Sequence, residues 1–173
     1  MGTSAAGRLA SQNSFVQNVV LTNYFDTDDG SLPEIEVIFD SASSIPVAFG
    51  HLYERGARNV THGGGCLWIS ETQLEKPFTG PGDASLVASG IAAPFHVVLA
   101  DIVGLKCPIP LLGIFVLADR LIIDYRMGAE WANAQVESLL HLLRELQRLG
   151  GRVEAPWWGE DGTRDLTAAL DAI

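Results

Sequence analysis

The chain has 173 residues, 47% of them apolar and 18% charged: enough apolar material for one domain core, and too little charge for a wholly disordered chain. Its net charge of −10 argues against binding a nucleic-acid backbone, which requires a basic footprint. The longest uncharged apolar run, Cys107 to Ala118, carries two prolines and is too short to cross a bilayer as a helix.

Residues 1–14 are small and polar without periodicity, which predicts a disordered N-terminal tail before a single domain over 15–173. The first residues lack the apolar stretch of a signal peptide, and Ala6 stands where a myristoylation motif wants Ser or Thr; the expectation is a cytoplasmic protein. Phe15 to Leu21 has the β-branched and aromatic content of a first strand. Asp26-Thr27-Asp28-Asp29-Gly30-Ser31 is a turn, and Glu34 to Phe39 opens with the alternation of a half-exposed strand. Ile45, Ala48, Phe49 and Leu52 then fall at i, i+3, i+4 and i+7, predicting a helix with Ser43 or Ser44 as cap and Gly56 as stop.

Cys66 to Ile69 reads as a short strand; with the preceding strand and helix it could form a crossover. Residues 71–94 hold three prolines and three glycines and are expected to be irregular, apart from a turn of helix from Asp83 to Ser89; such a loop could serve as a lid over a small molecule. The pattern then turns β, with strands at Phe95–Val103, Leu111–Ala118 and Leu121–Arg126 and a tight connection at Asp119-Arg120. The second of these is apolar on both faces, so it should lie centrally with both sides covered. Asn133 is expected to cap a long amphipathic helix to Leu149, whose apolar half carries Val136, Leu139, Leu140, Leu142, Leu143, Leu146 and Leu149. A short helix from Thr163 closes the chain. The fold class that follows is α+β: a mostly antiparallel sheet of about five to six strands with the two main helices packed on one face.

Several strings could carry chemistry. Thr61-His62-Gly63-Gly64-Gly65-Cys66 contains a His followed by three glycines, which resembles the oxyanion-hole segment of some lipases and esterases. The resemblance covers four residues, and the chain lacks the G-x-S-x-G elbow those enzymes need. A thiol reading puts Cys66 as nucleophile with His62 or His96 as base and Asp101 as orienter. His96 and Asp101, an odd number of positions apart, would point to opposite faces of a regular strand. His62 and Cys66 make one loose ligand pair where structural zinc sites use two close pairs. The turn from Asp26 resembles the start of a calcium loop, but its glycine falls one place early and Val37 stands where a bidentate Glu is required. No metal and no cofactor is therefore expected. Cys66 and Cys107 are expected as free thiols.

Arg126, Glu130 and Trp131 mix charge and a large ring between the last strand and the long helix, and Trp157-Trp158 lies near the C-terminus. These are candidate binding residues, since Trp and Arg are frequent interface anchors. From Leu9 through Glu54 there is no Lys or Arg, while seven Asp and Glu fall there. The leading functional expectation is a non-enzymatic acidic domain, inhibitor-like or antitoxin-like, that binds a basic protein, with a homodimer also open and neither nucleic acid nor membrane as partner. The alternatives are a small thiol- or metal-dependent enzyme centred on His62 and Cys66, and a small-molecule binding module using 71–94 as its lid.

Overall fold

The computed structural model describes residues 21–173; the expected tail and all of the expected first strand but Leu21 lie outside them. Leu21 is helical and buried. Alternating apolar residues build strand β1 (Glu34–Phe39), whose Ile35, Val37 and Phe39 turn inward. Helix α1 (Ser44–Glu54) buries Ile45, Ala48, Phe49 and Leu52, the face its periodicity predicts. Neither serine caps it through a side chain: Ser43 is already in helical geometry, and its hydroxyl meets that of Ser41 at 2.8 Å. Strands β2 (Arg58–Asn59), β3 (Cys66–Ile69), β4 (Leu74–Pro77) and the short helix α2 (Ala84–Ala88) follow. Next come β5 (Phe95–Ala100), β6 (Leu112–Val116), β7 (Arg120–Tyr125), helix α3 (Asn133–Arg148), β8 (Gly151–Glu154) and helix α4 (Gly159–Asp171).

Six strands form one antiparallel sheet in the order β2-β5-β6-β7-β1-β8, and β3 pairs with β4 in a separate hairpin. Counting antiparallel steps across the sheet leaves β1 and β2 parallel, with three strands between them. The β1–α1–β2 passage is thus a crossover between non-adjacent strands. One face of the sheet is the core: Phe95, Val97 and Leu99, then Leu112, Ile114 and Val116, then Leu121, Ile123 and Tyr125, then Ile35, Val37 and Phe39 are all buried. Onto it pack the apolar faces of α1, α3 and α4, with Leu139, Leu143, Leu146, Leu166 and Leu170 buried.

Helix α3 begins at Asn133 itself, after an extended Ala132 and without a side-chain cap. The segment 71–94 is more ordered than its composition predicts. The buried Asp83 draws it together, accepting Lys76 Nζ at 2.6 Å, the Thr79 amide at 2.6 Å and the Thr79 hydroxyl at 3.0 Å. Burial alone would push the Asp83 carboxyl up; the Lys76 and Thr79 donors outweigh it and hold the group below the usual carboxylate range. Nearby, the buried Tyr53 hydroxyl has no hydrogen-bond partner among the described residues and is pushed up to about 12, by burial first and by Asp83 second. No helix among the described residues is long and apolar enough to cross a membrane.

An aromatic cluster locks the C-terminal third to the turn before β1. The Phe25 ring centroid lies 4.6 Å from Tyr125 and 4.8 Å from Trp131, and Tyr24 stacks on Trp158 at 4.5 Å. The Tyr125 hydroxyl donates to the Tyr24 carbonyl at 3.0 Å and accepts from Trp158 Nε1 at 2.8 Å. Tyr125→Phe leaves both partners unsatisfied, so the variant should lose about 1–3 kcal/mol of stability by urea denaturation, with the fold unchanged by circular dichroism.

Candidate functional site

The sequence-derived candidates fall in three separate places. His62 lies in a 3₁₀ turn (His62–Gly64), and Cys66 opens β3; both are exposed. Asn59 braces this loop: its Nδ2 donates to the Gly64 carbonyl at 2.6 Å, while its Oδ1 accepts from the Thr61 amide and hydroxyl. Gly63, Gly64 and Gly65 all have positive φ, between 71° and 85°, a run of left-handed backbone that side chains resist. The glycines therefore have a conformational reason to be there. Among the described residues no hydrogen bond joins Cys66 to a histidine, and no group of three or more His, Cys, Asp or Glu side chains is placed to hold a metal ion. Asp101 is engaged by Arg58 at 2.8 Å, away from His96.

The aromatic candidates gather around the turn at 26–31. Trp131 is only 3% exposed and donates its indole N–H to the Arg126 carbonyl at 2.8 Å. Arg126 reaches Asp28 at 3.3 Å, while Glu130 is exposed with no ion-pair partner among the described residues. Trp158 is half-buried, whereas Trp157 is 58% exposed. Together with Tyr24, Asp29, Pro33 and Met127 the two tryptophans wall a shallow cavity of about 310 Å³. Ser31 donates both its amide and its hydroxyl to Asp29, and these bonds hold that carboxyl below its ordinary range.

The third place is the sheet face turned away from the helices, which carries His96. Directly opposite residues in a ladder share a face, so the register sets His96 beside Phe115, Phe115 beside Ile122, Gly113 beside Asp124, and Asp124 beside Glu34. No described helix covers this face. Leu111 is 53% and Phe115 37% exposed, against the expectation that β6 would be buried on both sides. Charged side chains lie across the face instead: His96 Nε2 meets Asp124 Oδ2 at 2.7 Å, and Arg120 meets Glu36 at 2.7 Å. Leu32, Glu34, His96, Phe115, Ile122 and Asp124 line a depression of about 420 Å³ there.

Gly113 makes the His96–Asp124 bond possible. A β-carbon at that position would overlap the Asp124 carboxylate, which folds over the bare backbone of β6 to reach β5. A glycine inside a strand pattern marks a close approach of this kind, and it is the one signal in the sequence that points to the site. The Asp124 hydrogen bond favours the charged imidazolium of His96; burial opposes it and the carboxylate's charge adds to it, so the His96 pKa is raised above its ordinary value. Asp124 Oδ1 and both oxygens of Glu34 accept no hydrogen bond among the described residues.

No family model matches the chain, and neither the curated proteins nor the solved structures contain a significant match to it.

Because the folded-state pKa of His96 is raised, the stability its pairing contributes is complete below the unfolded midpoint of about 6.5. That contribution is lost as pH rises through the higher folded midpoint. The His96 imidazole, followed by NMR, is expected to titrate above 6.5 in the wild type, and in Asp124→Asn at or below it. The stability difference between the two proteins should narrow as pH rises across that interval.

Proposed function

We propose that this chain is a protein-binding domain that docks a basic protein onto the face of its six-stranded sheet that no described helix covers. One observation carries the reading: Leu32, Leu111 and Phe115 stand exposed together on a face whose other side holds all the packed helices. Exposed apolar side chains set among charged ones are a common make-up of protein interfaces. The net charge of −10 favours a basic partner over a second copy of the chain, because two such chains repel while a basic protein is attracted and steered. The carboxylates without a cation point the same way. Glu34 on the face and Asp26 and Asp29 in the adjoining turn have no ion-pair partner among the described residues.

Leu32 lines the depression at His96, and its chain neighbour Pro33 lines the cavity at Trp157 and Trp158. A partner spanning both would meet an apolar centre and an acidic, tryptophan-bearing flank.

The tagged chain, recovered from its native host, is expected to carry one basic protein in stoichiometric amount at low salt and to release most of it at about 0.5 M salt, where exposed charges are screened. Phe115→Arg, at an exposed position and confirmed folded by circular dichroism, should weaken capture by about tenfold or more. His62→Ala and Cys66→Ala should leave capture unchanged. Capture that ignores both Phe115 and salt would sink the proposal; concentration-dependent self-association through Phe115 would replace the basic partner with a second copy.

A further inference from the structure

Resting on that docking face, we infer that the depression at the His96–Asp124 pair receives an arginine side chain of the partner, stacked on Phe115 and held by Glu34 and Asp124. The charges facing the depression can be counted element by element. β5 contributes His96, β7 contributes Asp124, β1 contributes Glu34, and β6 contributes only Gly113 and Phe115. Glu36, further along β1, is already taken by Arg120. With His96 protonated the site carries one uncompensated negative charge, and with His96 neutral it carries two.

Glu34 and Asp124 stand directly opposite each other on neighbouring strands, a placement that like charges disfavour. His96 relieves only one of them, through Oδ2. Asp124, whose Oδ1 accepts no hydrogen bond among the described residues, and Glu34 both line the depression, and Phe115, Ile122 and Leu32 supply its apolar walls. A guanidinium fits this combination better than an ammonium does. It is planar, stacks on an aromatic ring, and offers a fork of donors to two acceptors at once. Its three-carbon stem covers the apolar wall.

The test uses the full ¹⁵N-labelled chain and N-acetyl-arginine methylamide as the probe, with the lysine and norleucine analogues in parallel. Saturable shifts are expected at Gly113, Ile122 and His96, with arginine binding about threefold or more tighter than lysine, and no saturation by norleucine. The bound cation should also lower the His96 midpoint. Glu34→Gln and Phe115→Ala, both at the surface, should each weaken arginine binding by about threefold or more. Absence of saturation up to about 100 mM, equal binding of norleucine, or indifference to Glu34→Gln would overturn the inference. If arginine fails while partner capture still depends on Phe115, the docking face stands and the arginine anchor is gone. If arginine binds at Glu34 but capture ignores Phe115, the docking face is the part that fails.

Discussion

The pairing register of β5, β6, β7 and β1 is the constraint on which both faces of this molecule depend. A slip of one residue between β6 and β7 would turn Leu112, Ile114 and Val116 outward and bring Gly113 and Phe115 into the core. The same register sets Asp124 over Gly113, within reach of His96 on the next strand and beside Glu34 on the other side. The hydrophobic core thus fixes the geometry of the exposed depression. Three side chains from three strands, His96, Asp124 and Glu34, are positioned there by contacts made on the opposite face.

Where a segment buries one side, its period was legible. The alternation of β1 and β7 and the helical spacing of α1 and α3 predict most of their inward residues, because burial imposes the pattern directly, although on α3 the polar Ser138 is buried and Leu149 is only half-buried. Strand β4 was not legible. Leu74-Glu75-Lys76-Pro77 is four residues long and mostly exposed, and it is held by pairing with β3 and by Asp83 rather than by burial. Helix α4 begins four residues before the Thr163 start that the sequence predicts, because its first turn is packed through Gly162 under Trp158 and shows little apolar periodicity. The site was legible only in fragments. His96 and the outward side of β7 could be read, but their meeting depends on strand pairing across 28 positions, and no local pattern carries that.

The second face of β6 shows how an apolar strand can remain partly open. Phe115 and Leu111 stay exposed, while the backbone at Gly113 is buried under the Asp124 carboxylate and the neighbouring strands are bridged by Arg120 and Glu36. Charged side chains lying flat over a sheet keep the apolar residues between them from forming one continuous patch. The outer strand β8 ends the face with another such pair, Arg152 and Glu154. This arrangement hydrates the surface while leaving its apolar anchors within reach.

Exposed ion pairs contribute little to folding stability, so under the proposed docking their value would lie in what happens when the face is covered. A partner that seats on the sheet takes His96, Asp124, Arg120, Glu36 and Glu34 out of water together. The first four carry their counter-charges with them. Glu34 has none among the described residues, so the penalty for burying an unpaired charge falls on that one carboxylate. An apolar or acidic partner would have to bear this penalty in full, whereas a partner with a cation opposite Glu34 removes it. Discrimination on such a surface would therefore rest less on the strength of its apolar contacts than on Glu34, the carboxylate of the depression that has no counter-charge among the described residues.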